Sequence, residues 1–372
     1  MIYIFLVIIG ILLSLMGIVK NPYLKWTYIL IALVTMIYLM GTVSPYHSFD
    51  TSAYMYMFNL PPSTHRFESG YMNLSYFFYV NGFSYETFRI SSYFIFTLAM
   101  FIGVYQLTPN LIGFYSLYLI FPFFLDVTQV RQFFMTALVI FGAGMLCTQK
   151  KSLRCLGVVS ILLSPLFQIS GFLYYLLLIM HKISYKKTLR LMDYLIWMLP
   201  ILTLVIHYAH LNKIISRVLG LFLISRSNAV DSVNLYTQGS SFSITIYYIL
   251  SIMLCYFLFR KIIIAAYKKN SLVRTVLINI FFVGVISIPL LASSSDFERF
   301  IRMSILAFII TFSAYIYKVE SIGSHTWLRA WLSLFCVVVL VTVSWKYWDT
   351  SVTGRNQYLP YIIKVKDPNT IN

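Results

Sequence analysis

The stretch DVTQVRQFFMTALVI, residues 126–140, sets a guanidinium and an amide, Arg131 and Gln132, side by side at the start of a run that otherwise reads as membrane-buried. Arginine stays charged at any physiological pH, and its planar fork grips phosphate or carboxylate oxygens in two-point contacts. Two more arginines, Arg299 and Arg302, stand three apart in ASSSDFERFIRM and so share one face of a helix. All three fall at the ends of apolar runs, where an ionisable group is costly unless it meets a cavity, a partner or an anionic ligand. Together they suit an anion held at a membrane boundary, such as a lipid-linked phosphate or pyrophosphate. Each also admits a structural account: Arg131 paired with Asp126, and Arg299 with Asp296 or Glu298, as ion pairs or snorkelling anchors.

Candidate acids and bases stand nearby. Asp50, Tyr54 and Phe58 recur at four-residue spacing and therefore align on one helix face. Asp50 reads either as the N-cap of an amphipathic surface helix or as a general base or acceptor for a sugar hydroxyl. Glu68, opening ESGY, carries the same two readings, and Asp126 is a third candidate base. The 30 tyrosines belong mostly to interfacial belts and packing.

The elements that position these groups follow from composition. Of 372 residues, 60% are hydrophobic and 10% charged, against about 25% charged in a soluble domain. Apolar runs long enough to cross a bilayer recur from end to end, so the expected fold is an all-α polytopic integral membrane protein with about 10–12 transmembrane helices and short re-entrant or interfacial helices on its outer face. The net charge of +17 sits in short links between apolar runs. That is the positive-inside pattern, not a nucleic-acid footprint. Cys147, Cys155, Cys255 and Cys336 show no CxxC spacing and no clustering with histidine, which points away from a disulfide framework or a metal site. The N-terminal run lacks a basic n-region and a small-residue cleavage pattern, so it reads as a retained first helix. No Walker A, HExxH or GxSxG motif is present.

Spans are expected at 2–19, 26–43, 88–107, 111–125, 127–147, 191–211, 243–260, 275–292, 300–318 and 327–345, within one transmembrane domain over 1–372. Residues 44–87 form an outer loop with interfacial helices, and 212–242 a large outer loop. The basic links QKKSLR and HKISYKKTLR bracket residues 155–180, too few for two full spans, so a helical hairpin bending near Pro165 is expected there. Under this topology the outer face gathers Asp50, His65, Arg66, Glu68, Arg89, Asp126, Arg131, Lys213, Arg217, Arg226, Asp231, Asp296, Glu298, Arg299 and Arg302.

The order DTSAYMYMF, FESGYMNLSYFFYVNG, VRQFFMTALVIFGAG, SPLFQISGFLYYLLL and ERFIRM resembles the EpsG family of Wzy-like polysaccharide polymerases, over most of the first 180 residues and again near 296–303. The Arg131–Gln132 pair is its most specific part. In the hairpin the family often has Phe-His followed by a small residue; here Phe167, Gln168 and Ser170 occupy those places. Glutamine cannot act as a base at neutral pH, though it can hydrogen-bond a sugar or a lipid head group.

The resemblance implies a bacterial inner-membrane enzyme without a metal or other cofactor. It would join oligosaccharide repeat units carried on undecaprenyl pyrophosphate, among membrane lipids and beside a chain-length regulator and a flippase of the same pathway. Arg131, Gln132, Asp50 and Glu68 are then the catalytic candidates; Arg131, Arg299, Arg302, Gln168 and Ser170 are the candidates for pyrophosphate and substrate. A flippase would instead need its basic residues along a path open to both leaflets. A glycan ligase would share the arginines, and a scaffold would tolerate their loss.

Overall fold

The computed structural model describes residues 2–15, 21–43, 49–64, 67–180, 183–209, 211, 240–320, 331, 334–342 and 344. The expected outer loop at 212–242 lies outside the described residues except for 240–242, as do His65 and Arg66; the last expected span is described only in part. The chain is an all-α polytopic membrane protein, with no strand among the described residues. Six of the described helices are long and apolar enough to cross a membrane, and shorter apolar helices pack among them.

Helix α1 (Ile2–Leu15) and α2 (Pro22–Gly41) come first. Asn21 caps α2 by accepting the Tyr23 N–H at 3.0 Å, and Pro22 supplies the preset φ of a first helical turn. Two short helices, α3 (Phe49–Met57) and α4 (Ser69–Val80), lead to α5 (Tyr85–Leu107), which Ser84 caps. Then follow α6 (Leu111–Ile120), α7 (Phe123–Thr128) and α8 (Val130–Leu146). The span expected over 111–125 is thus broken. Pro122 has no N–H for a helical bond, and the residue before a proline is driven to extended backbone, as Phe121 is at φ −156°, ψ 132°.

In the next segment α9 (Lys151–Leu163) runs into a 3₁₀ turn at Ser164–Leu166, and a second 3₁₀ stretch at Ile169–Tyr174 continues into α10 (Tyr175–Met180). The two 3₁₀ pieces pack on each other, and Tyr175 Oη donates to the Leu162 carbonyl at 2.8 Å. Helices α11 (Tyr185–Tyr208), α12 (Phe242–Ala266), α13 (Ser271–Ile286) and α14 (Glu298–Glu320) complete the bundle.

Helices α13 and α14 form its centre: the apolar stretches Ser271–Ala292, which begins with α13, and Glu298–Tyr317 of α14 are 83% and 89% buried, against 33% for α11. Small residues allow α5, α8 and α9 to approach closely. A Cβ on Gly144 of α8 would lie 2.4 Å from the Gly103 carbonyl oxygen of α5, and one on Gly142 would lie 2.7 Å from that of Gly157 on α9. Polar side chains fasten the remaining joints. Asn110 caps α6 and reaches Ser14 at 2.9 Å and the Ser313 carbonyl at 3.2 Å, while Tyr267 Oη bonds the Leu107 carbonyl at 2.7 Å.

Arg89 proves to be a joint of the same kind. It is buried, and its guanidinium donates to the carbonyls of Val43 at 3.0 Å and Met40 just past and within the last turn of α2, with Val127 of α7 at 3.4 Å. A cation at a helix C-terminus meets the negative end of the dipole. Arg89 therefore clamps α2 to α5 and α7 instead of facing an external ligand.

Candidate active site

Arg131 is the second residue of α8. A cation near a helix N-terminus meets the positive end of the dipole, so it needs a strong partner, and Glu68 provides it as an ion pair with Nη1. The guanidinium also lies 4.2 Å from the centre of the Phe67 ring, and its Nε donates to Tyr54 Oη at 3.3 Å. Stacking on aromatic faces suits the weakly hydrated guanidinium. Nη2 has no acceptor among the described residues.

Glu68 occupies the N-cap position of α4, with extended backbone, yet its side chain makes no local capping bond. A capping bond is worth about 1 kcal/mol. That bond is forgone, and the two carboxylate oxygens instead hold Arg131 and the backbone N–H of Ile169, the latter at 2.9 Å. One side chain thus joins α4, α8 and the bend between α9 and α10.

Arg302, on the second turn of α14, repeats the arrangement more deeply. Its side chain is 2% exposed and pairs with Glu298 one turn back and with Asp126 at 3.3 Å; Nη2 also reaches Gln129 Oε1 at 3.0 Å. Gln129 is the N-cap of α8 and, like Glu68, makes no capping bond of its own. Asp126 is fully buried and accepts a hydrogen bond from Tyr118 Oη at 2.6 Å. Such a buried charge set is tolerated only when each member is paired and hydrogen-bonded.

Asp50 lies in the first turn of α3, inside the helix and not at its N-cap, and is half-buried. Burial raises its carboxyl pKa above the ordinary range, and the fields of Arg299, Arg131 and Arg302 oppose that rise. Arg299 lies 4.0 Å from Asp296, and its Nε is buried with no acceptor among the described residues.

Gln132, next to Arg131, is buried; its Oε1 receives Ser170 Oγ at 3.5 Å and its amide nitrogen has no partner among the described residues. Gln168 is buried at the bend, immediately before Ile169. The bend therefore brings Gln168 and Ser170 to the same end of the bundle as Arg131, Glu68 and Gln132.

One expected pairing is corrected by this geometry, and of the two partners expected for Arg299 it selects Asp296. Asp126 serves Arg302, not Arg131, because α7 turns it inward toward α14 while α4 delivers Glu68 to Arg131. Glu298 likewise serves Arg302, one helical turn away, leaving Asp296 to Arg299. Asp126, held by Arg302 and Tyr118, is also not placed to act as a base. The roles of Gln129 and Tyr118 were not foreseen, and their spacing carries no signal of them. Tyr54 was visible on the Asp50 face, though not as a partner of Arg131.

The arginines are thus oriented by carboxylates and are not a bare cationic patch. Around them stand Asp50, Glu68, Asp126, Asp296 and Glu298. Among the described residues, the guanidinium nitrogens without a hydrogen-bond acceptor include Arg131 Nη2 and Arg299 Nε, and both arginines act electrostatically on Asp50. Among the described residues no group of three or more His, Cys, Asp or Glu is placed to hold a metal ion, and all four cysteines are free.

Fold and site together define a multi-pass membrane protein with ion-paired arginines gathered at one end of its helices. The chain belongs to the EpsG family, whose model matches residues 26–363. The match extends well beyond the motifs of the first 180 residues. Members of that family are Wzy-like polysaccharide polymerases that act on lipid-linked oligosaccharides in bacterial membranes. No curated protein and no solved structure matches the chain.

Proposed function

We propose that this protein polymerises oligosaccharide repeat units carried on undecaprenyl pyrophosphate, at the outer face of the cytoplasmic membrane. The acceptor hydroxyl oxygen attacks the anomeric carbon of the lipid-linked chain, the bond from that carbon to the pyrophosphate oxygen breaks, and the hydroxyl proton passes to a carboxylate. The single observation that carries this reading is the juxtaposition of open arginine donors, Arg131 Nη2 and Arg299, with the half-buried carboxylate of Asp50.

Each part has a physical reason. Pyrophosphate departs readily if its developing charge is neutralised by donors already in place. Glu68 and Asp126 hold Arg131 and Arg302 so that no reorganisation is needed as charge develops. A carboxylate whose pKa is raised above the ordinary range is a better proton acceptor than an ordinary one; Asp50, half-buried within the fields of Arg299 and Arg131, takes the base role, and Glu68 is a positioning residue. Gln132, Gln168 and Ser170 offer hydrogen bonds to sugar hydroxyls. The outer-face placement rests on the basic links at the opposite end of the helices.

The test uses a host whose surface glycan depends on this gene. Deletion is complemented with wild type or Arg131→Ala, equal membrane expression is confirmed, and the glycan is resolved on a gel. Single repeat units attached to their acceptor in both deletion and mutant support the polymerase. Normal long chains in the mutant would end the reading. Long chains stranded on the lipid carrier would mean a ligase, and units trapped on the cytoplasmic face a flippase.

A further inference from the structure

A second site stands at the other end of the bundle. A cavity of about 570 Å³ opens there between the start of α2, the end of α5, the α12–α13 link and the last turns of α14. Its size falls within the range of small-ligand pockets, about 300–1,000 Å³. Among the described residues, the one charged side chain in its wall is that of Lys25, half-buried and without an ion pair. Among the described residues no carboxylate lines it, whereas Gln106, Thr108, Asn270, Tyr105 and Tyr317 offer amides and hydroxyls. Lys25 also lies 5.7 Å from the centre of the Trp26 ring, which stacks on exposed Tyr105 at 6.4 Å. Lipid-facing tryptophan and tyrosine mark the head-group level of a bilayer.

We infer that this cavity binds a phosphate-bearing group, with Lys25 as its counter-ion and the surrounding amides and hydroxyls as its donors. A partly desolvated ammonium with no carboxylate among its described neighbours is best satisfied by an anion, and a tetrahedral phosphate can also take several neutral donors at once. The aromatic pair at the mouth, and the basic links around it, suit the head group of an anionic phospholipid. Basic pockets between transmembrane helices on the positively charged side bind such head groups. A free phosphate would use the same chemistry. The site is independent of the arginine end and of the reaction proposed for it.

The test is native mass spectrometry of the full-length, delipidated protein with dioleoylphosphatidylglycerol or dioleoylphosphatidylcholine, with and without millimolar inorganic phosphate. Lys25→Gln removes the counter-ion. Gln106→Glu, at an exposed position, adds a repelling charge with little risk to folding. The expected result is preferential retention of phosphatidylglycerol, weakened about tenfold by either variant, as for the loss of one charge-assisted contact. If inorganic phosphate fails to displace the lipid, the source is the membrane. If it displaces the lipid and itself binds in a Lys25-dependent way, the source is soluble and the site stands. Equal retention of both lipids, or wild-type retention of phosphatidylglycerol by both variants, overturns the inference.

Discussion

Glu68 and Arg131 stand 63 residues apart in the chain and form one buried ion pair, and the second carboxylate oxygen of Glu68 holds the Ile169 N–H at 2.9 Å. The arginine is therefore aimed by a residue of another helix and fixed to the bend that carries Gln168 and Ser170. Removing one partner should leave a buried charge uncompensated, at a cost of about 3–5 kcal/mol. Glu68→Ala should lower thermal stability in detergent and abolish polymer. The double variant Glu68→Met with Arg131→Met should recover much of the stability and none of the polymer. Full polymer length in Glu68→Ala would show that Arg131 needs no aiming.

Arg302 makes three contacts at once, to Asp126, Gln129 and Glu298, and only a planar fork can serve them together. Arg302→Lys is expected to destabilise the protein and to reduce polymer formation about a hundredfold, the scale of losing one preorganised electrostatic donor. Melting temperature and glycan length, measured side by side, check this; unchanged values for both would count against the network.

Asp50 gives the pH prediction. Its carboxyl pKa is raised by burial, so ionising it costs stability in the folded protein. That cost is absent below the ordinary carboxylate range and grows as pH rises through the raised value. At neutral pH, Asp50→Asn should therefore stabilise the fold while slowing polymerisation. Wild-type activity should fall as pH drops through the raised pKa, and any activity remaining in Asp50→Asn should lack that acid limb. A lower melting temperature for Asp50→Asn at neutral pH would contradict the assignment.

The seam between α5 and α8 predicts a structural failure of another kind. A Cβ at Gly144 would lie 2.4 Å from the Gly103 carbonyl oxygen. Gly144→Val should cost about 1–3 kcal/mol or more by overpacking, seen as reduced membrane yield with no selective effect on chain length. Wild-type yield and stability would show that the helices can part at no cost.

Much of this site could be read from residue types. Arg131 beside Gln132 at a helix start, Arg302 near a helix end, and Asp50 with Tyr54 on one face are features of local spacing, and spacing is visible in a sequence. Which carboxylate serves which arginine is not. Asp126 stands five residues from Arg131, yet pairs across 176 residues with Arg302, because the packing of α7 on α8 and α14 decides the direction of the side chain. Arg89 misled for the same reason: the carbonyls it satisfies belong to helix ends brought to it by tertiary packing. The break at Pro122 was legible, since proline forbids the helical bond, but the apolar run through it outweighed that signal.

The early stop of α6 at Ile120 also fixes a depth. Ten residues rise only about 15 Å, half of a roughly 30 Å hydrocarbon layer. Fifteen residues separate Arg131 from Leu146, the end of α8, and another fifteen Arg302 from Tyr317, a rise of about 22 Å in each case. Under the topology proposed above, that rise falls short of the full hydrocarbon thickness, so the arginines would stand below the outer rim of the bilayer. The proposed substrate, anchored by a long isoprenoid tail, would then reach them by sliding sideways within its own leaflet, and the protein would be spared the work of lifting a lipid into water.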